Sequence, residues 1–481
     1  MDEPKFRRRT VLERSLTGIA AAALARTTGT GRSARAADIV SDPVPAIAAS
    51  GKRVELVDFC TPPTQVSAPP KALLNFLFHA GDGKARVLAN DGRGKLWSID
   101  RTTGTATPFL DLALWRAGAL LIPGQRSLGL RSFAFHPNFS RKGKAGYRRF
   151  YTLSAETLAS RKPGVPVLGG SFTPTHDYVL AEWAVDAVDA MTVLRGSRRE
   201  VLRIAYPSYD HGSDQIMFNP AEPGLLYIGT GDGSNSPFDT DPFNVAQDPG
   251  SALGKILRIN PLRHADGRRY RVPATNPFVG RSGYLPEIWA LGLRHPLNFC
   301  FDAVSGKMLI ADIGQGMVEE VNLGVRGANY GWPHREGTFA TERTNESIIY
   351  TLPPGDAALG YTYPVAQYDH GECNALGQAA VTGGFVYRGT SIPGLVGEYL
   401  LGDILTGRIF HAPVAALQLG RQTTLKELTL EQNGVPVTLM ALAGVKNRVD
   451  LRFGQDEQGE IYVMSKQDGK IRKLGPALPA G

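Results

Sequence analysis

Cysteine is scarce. Cys60, Cys300 and Cys373 are the only three in 481 residues, and their spacing fits neither a zinc site nor a disulfide framework. One disulfide with a free thiol, or three buried thiols, are both compatible with an oxidising compartment. No C-x-x-C-H run occurs, so the chain has no covalent haem attachment motif. Long apolar runs are also missing. None reaches the roughly 18 residues that would suggest a membrane-spanning helix. No segment reads as an internal linker to a second domain. Positive charge is not concentrated in the body of the chain. The formal net charge is +8, and the first 36 residues supply +5 of it through eight Lys/Arg against three Asp/Glu. The remaining basic residues are scattered, which argues against a nucleic-acid partner.

Glycine (55) and proline (33) are abundant, and hydrophobic residues make up 42%. Dense Gly/Pro punctuation predicts many short strands and turns around a real core. The leader reads on its own terms. Arg7-Arg8-Arg9-Thr10-Val11-Leu12 is a twin-arginine pattern, a weakly apolar run follows, and Ala34-Arg35-Ala36 offers a small-residue cleavage site. Residues 1–36 are therefore expected to be a twin-arginine signal peptide, placing the mature chain from about Ala37 in the periplasm or outside the cell. An uncleaved, anchoring leader is the alternative. Residues 37–51 are expected to be extended, and residues 52–475 to form one domain.

Within that domain a motif recurs: a β run, a Gly/Pro turn, a second β run and a polar exit. Six copies are readable, beginning with ARVLANDGRGKLWSID and ending with LRFGQDEQGEIYVMS. The anchors Phe133, Ile216, Asn298 and Gly384 lie 82 to 86 residues apart, and the first and last intervals are shorter. Repeated small sheets bury their faces by stacking, and radial closure leaves few edges. The expected fold is all-β, a six-bladed β-propeller with four-stranded blades, closed by the early strand Val54–Phe59. A sandwich pair or a parallel β-helix is the structural alternative, and the β-helix needs much shorter repeats.

One copy carries chemistry. Tyr209–Gly233 reads as a hairpin, with Asp210-His211 before its first strand and Asp232 after its second. A hairpin brings its two outer ends together, so His211 and Asp232 can meet across 21 positions. A histidine oriented by a carboxylate is the equipment of a general base.

The segments FAFHPNF, LGKILRI, WALGLRHP, ADIGQGMVEEVNL, NYGWP and GGFVYRG, in this order and with no large domain missing, resemble the glucose/sorbosone dehydrogenase family. Its members are soluble pyrroloquinoline-quinone-dependent sugar dehydrogenases, and the likeness runs from about Leu56 to Lys473. The resemblance implies a six-bladed propeller that oxidises an aldose to its lactone and passes electrons to an external acceptor, a cytochrome or a quinone. It assigns His211 as the base, Asp232 as its orienting partner, and Arg294 beside the quinone oxygens. Asp210, His295, Arg388 and Arg408 fall at cofactor-contact positions. His295 stands where the family has Asn, and Ser127 where it has a substrate-side Gln, with Gln125 two residues earlier. The backbone carbonyls of Gly314 and Gln315 would hold a Ca²⁺ against the cofactor. Glu320 and the Tyr330 carbonyl would hold a second, structural Ca²⁺. His136 and Trp332 sit in family motifs and are read as packing residues. Two alternatives remain: a non-catalytic propeller that binds a sugar or protein, as Hedgehog-binding relatives do, and a calcium-dependent lactonase.

Overall fold

In the computed structural model, residues 37–63, 66–122, 127–186, 188–234, 244–373 and 378–478 are described. The leader reading falls outside them, as does Gln125. The described chain is all-β with few helices; Leu112–Trp115, His370–Cys373 and Leu439–Ala443 are each a single turn. No helix among these residues is long and apolar enough to cross a membrane.

Six antiparallel meanders follow one another, over residues 74–111, 130–206, 213–291, 296–369, 381–432 and 451–476. The strands used below are β1 (Ala48–Cys60), β2 (Leu74–Phe78), β3 (Leu130–Phe135), β4 (Ser213–Phe218), β5 (Leu226–Thr230), β6 (Pro296–Phe301), β7 (Val381–Val386) and β8 (Leu451–Gln455). The last meander has only three strands of its own. β1 supplies the fourth by pairing antiparallel with Ile471–Pro476. That strand starts at Ala48, a few residues before the expected domain boundary.

The first copy read in the sequence is out of phase. ARVLANDGRGKLWSID forms the second and third strands of its meander. The true first strand is β2, the short apolar run LNFLF, which has no polar alternation to mark it. The phase error exaggerates the short first interval, which remains the shortest when counted from Leu74 to Leu130.

The first strands of successive meanders pack against one another in the order β2–β3–β4–β6–β7–β8 and back to β2. They are largely buried, yet several carry polar residues. A buried polar side chain must find a partner, and here many of the partners lie in the neighbouring meander. Asn90 donates to the Leu130 carbonyl (2.7 Å), and the Ile216 N–H donates to Ser132 Oγ (3.2 Å). Gln215 exchanges two bonds with the Phe299 backbone (2.8 and 2.9 Å). Thr382 donates to Asn298 (2.9 Å), and Gln455 to the Val386 carbonyl (3.0 Å). At the remaining joint Gly454 of β8 pairs in parallel with Leu77 of β2. A Cβ on Gly454 would lie 2.5 Å from the Leu77 Cβ, so only glycine permits this approach.

Candidate active site

β4 and β5 pair antiparallel, Ser213 opposite Thr230, with a bulge before Ile216. The hairpin returns Asp232 to His211, and their side chains bond Oδ1 to Nδ1 at 2.7 Å. Asp232 is fully buried and His211 is 19% exposed. A carboxylate on Nδ1 holds the proton there and leaves the Nε2 lone pair as the basic atom. Burial, reinforced by the Arg294 guanidinium, pushes the imidazole down to about 4 against the pull of Asp232. The ring is therefore neutral, and able to accept a proton, over most of the physiological range.

The approach is tight. His211 adopts a φ of 43°, a conformation that side-chain-bearing residues rarely take. A Cβ on Gly231 would sit 2.2 Å from the His211 carbonyl oxygen, so the exit strand needs glycine there. Asp232 has further partners. Its Oδ1 accepts from the Ser234 N–H (3.0 Å), and its Oδ2 accepts from Trp332 Nε1–H (2.9 Å). Trp332, expected to be packing alone, thus fixes the carboxylate. Its ring also underlies the Arg294 guanidinium at 5.4 Å. The WP motif gave no sign of this, because the partner lies 100 positions away.

Arg294 and His295 precede β6. Their backbone N–H groups donate to Asp312 Oδ2 (2.9 Å) and Oδ1 (2.6 Å). Burial raises that carboxyl to about 7. The His295 ring stacks on His211, centroids 5.0 Å apart. His295 Nε2 bonds Asp214, which also pairs with Arg131. A second histidine–aspartate pair thus stands beside the first, a consequence of the Asn-to-His departure noted in the sequence.

These groups open into one basin of about 990 Å³, which His211, Arg294, His295, Asp210, Gln315 and Ser127 all line. Ser127 faces it, and its carbonyl accepts from Tyr178. The opposite wall is cationic, with Lys446, Arg448, Arg452 and Lys466. Arg448 pairs with Asp450 at 2.6 Å. Arg452 and Lys466 are buried, and neither makes a close ion pair among the described residues, although Asp450, already bound to Arg448, attracts both. Burial lowers Arg452 to about 10, and it pushes Lys466 well below its usual range with Arg452 adding to the effect. Unpaired buried cations are costly unless an anion joins them. A tricarboxylate such as pyrroloquinoline quinone fits this wall. Sequence reading missed both residues, since each passes for an ordinary strand position.

Arg388 and Arg408, expected at the cofactor, lie elsewhere. Arg388 follows the far end of β7, binds Asp302 through two bonds (2.9 and 2.6 Å) and lines a different cavity. Arg408 pairs with Glu427 (2.7 Å) and does not line the basin. Both assignments are corrected for the same reason: their charges are met by carboxylates of neighbouring strands.

The calcium expectation divides. The Gly314 carbonyl accepts from Arg294 (2.5 Å), and the same guanidinium holds the Gln315 side chain. A cation on the Gly314 carbonyl would compete with this guanidinium. The loop itself is rigid: N–H groups of residues 315–318 all donate to Glu336 Oε1 at 2.9–3.0 Å. Glu320 differs. Burial, with the charge of Asp312, pushes its carboxyl well above the usual range. It accepts from Asn322 (2.7 Å) and Gly337 (2.8 Å), and the Tyr330 hydroxyl donates to the Leu323 carbonyl (2.6 Å). Buried acids short of positive charge suit a hard oxygen-seeking cation, although no cluster of three metal-ligating side chains occurs among the described residues. Cys60 and Cys300 are buried free thiols.

The model of the Glucose / Sorbosone dehydrogenase family matches residues 191–473, more than half of the chain. The chain belongs to that family. The HIPL2 protein of Arabidopsis thaliana is 29% identical over 84% of this chain and 62% of its own length. The human Hedgehog-interacting protein is 26% identical over 82% of this chain and 50% of its own. Aldose sugar dehydrogenase YliI of Escherichia coli is 30% identical over 56% of this chain and 60% of its own. The chain thus spans about half to three-fifths of these relatives. The fold is shared with the solved PQQ-bound aldose sugar dehydrogenase of Streptomyces coelicolor, at a TM-score of 0.55, 16% identity, and coverage of 88% of this chain and 98% of that one.

Proposed function

We propose that this protein oxidises an aldose at C1 to its lactone, with pyrroloquinoline quinone as cofactor and an external cytochrome or quinone as final acceptor. The observation that carries this reading is the basin itself. It joins a neutral, carboxylate-oriented His211 to Arg294 and to a wall with more basic than acidic groups. His211 Nε2 takes the proton of the C1 hydroxyl. Asp232 keeps the other ring proton in place and stabilises the imidazolium as it forms. Arg294, held by Gln315 and Trp332, stabilises the negative charge that develops in the basin. Arg452 and Lys466 bind the cofactor's carboxylates. Bound pyrroloquinoline quinone supplies the hydride acceptor that no side chain provides. A structural Ca²⁺ belongs to this reading at Glu320 and the Tyr330 carbonyl.

The cyclic packing of the six first strands supports a closed six-bladed propeller. The twin-arginine leader supports export to the periplasm or beyond, where a separate acceptor would collect the electrons. A second reading has an observation of its own. His295 fills a place beside His211 that the family keeps for a smaller Asn, and this favours a propeller that binds a sugar or protein without turnover.

The test is to supply the protein with pyrroloquinoline quinone, Ca²⁺, a dye acceptor and a panel of aldoses. Dye reduction that depends on both cofactor and sugar is expected. Cofactor uptake with no turnover on any sugar would favour the binding reading. Lactone hydrolysis without uptake would point to a lactonase and overturn the proposal.

A further inference from the structure

The strand Lys255–Ile259 leads away from the basin. It pairs antiparallel with β5, Lys255 opposite Thr230 and Ile259 opposite Leu226, so it exits at the end far from Asp232. The loop that follows lines an open cavity of about 870 Å³, which shares no lining residue with the basin. Basic residues are scattered along the chain as a whole, but Arg263, Arg268, Arg269 and Arg271 belong to this one loop. Arg199 joins them from the preceding meander.

The loop is held in place by its own backbone and by the arginines themselves. Asn260 and Arg271 exchange two backbone bonds (2.8 and 2.9 Å), and the His264 N–H donates to the Arg268 carbonyl (2.9 Å). Arg199 donates to the Arg269 and Pro261 carbonyls, both at 2.7 Å. Arg269 donates in turn to the carbonyls of Gly164 and Glu200, both at 2.8 Å.

The charges are unevenly met. Arg199 pairs with Glu182, and Arg268 with Asp266. Arg269 bonds carbonyls, and Arg271 donates to His264 (3.2 Å). No carboxylate among the described residues forms an ion pair with Arg263, Arg269 or Arg271. Glu287, the one acidic residue among the described lining residues, is buried and accepts from the Tyr270 hydroxyl (2.7 Å). The rest of the lining includes the apolar side chains of Pro166, Val272, Val279 and Pro286.

A basic cluster attracts polyanions, and each guanidinium can grip both oxygens of one carboxylate. The apolar surfaces between the arginines select further, since they suit a ligand with C–H faces between its charges. A chain of uronic-acid sugars carries both features. We infer that this cavity binds an acidic oligosaccharide, its carboxylates on Arg263, Arg269 and Arg271 and its ring faces against Val272, Val279 and Pro286. The site is separate from the basin and does not rest on the dehydrogenase reading.

Binding to the full chain is measured by calorimetry with three probes of equal length: a galacturonate oligomer, a neutral glucose oligomer, and oligoglutamate, which has the charge without the rings. The uronate is expected to bind saturably at one site, oligoglutamate more weakly, and the neutral oligomer not at all. Replacing Arg263→Gln and Arg271→Gln together should weaken the uronate about tenfold or more, as expected for lost charge-assisted hydrogen bonds. Both residues are exposed, and a thermal melt checks that the double variant stays folded. Arg421→Gln, an exposed arginine outside the cavity, should leave affinity unchanged. Val279→Asp, at an exposed position on the lining, should abolish uronate binding by repulsion. No saturable uronate binding, equal affinity for oligoglutamate, or affinity that survives either the double variant or Val279→Asp would each overturn the inference.

Discussion

The two ends of the first strands differ in what they carry. Near their starts stand Arg131, His211, His295, Asp450 and Arg452; at their ends stand Phe78, Phe135, Phe218 and Phe301, with the paired charges of Arg388 and Asp302 beside them. The strands themselves are alike in length and burial. The scaffold is indifferent to what it carries, and each end's chemistry comes from one or two residues per strand. Charge at one end is left partly unpaired, while the phenyl rings at the other pack against one another. The basin is therefore a region that sacrifices stability for binding.

The largest expected effect is at the basin's base. His211→Gln should reduce turnover by about 10²–10⁴-fold, the usual worth of general acid–base catalysis, while cofactor uptake followed by absorbance stays near normal. Loss of uptake would reassign His211 to binding. Next is Lys466→Met. Cofactor affinity should fall by about tenfold or more, as expected for a charge-assisted hydrogen bond. Without cofactor the variant should be no less stable, because the group it removes is a desolvated amine that makes no ion pair among the described residues. Denaturant titration reads the second effect, and a destabilised variant would mean that Lys466 has a partner in the protein. Trp332→Phe removes one bond to Asp232 and should lower kcat about threefold to tenfold with little change in KM.

A pH effect is shared by both ends. His211 in the basin, His79 and His136 at the aromatic end, and His176 are all pushed down to about 4 by burial from an ordinary 6.5. Between those pH values the unfolded chain binds more protons than the folded one. Stability should thus be fully present above pH 6.5 and fall as pH drops toward 4. Activity should separate the ends: kcat/KM should rise through about pH 4 as His211 loses its proton, and a further change near 7 belongs to Asp312. An Asp312→Asn variant whose kcat/KM shows no rise near pH 4 would contradict the burial described for the His211 ring.

The hairpin pairing of His211 with Asp232 was legible because antiparallel geometry fixes which ends meet, whatever the rest of the fold does. The meanders were legible for a similar reason, except where β2 lacks alternation. Arg388 was misplaced because strand membership does not reveal which end of a strand a residue occupies; Arg408 stands at the basin end of its meander but on the third strand, where it meets Glu427. Trp332, Asp312, Arg452 and Lys466 were missed because their significance lies in a partner, or a missing partner, far away in the sequence. The neighbouring-strand contacts of Gln215 and Asn298 were hidden the same way.

The most direct measurement is a spectroscopic titration of pyrroloquinoline quinone into the purified protein, followed by an aldose, with His211→Gln in parallel. The account predicts stoichiometric uptake by both proteins and sugar-dependent bleaching of the bound cofactor in the wild type alone. Failure of the wild type to take up the cofactor, or bleaching that proceeds equally without His211, would contradict it.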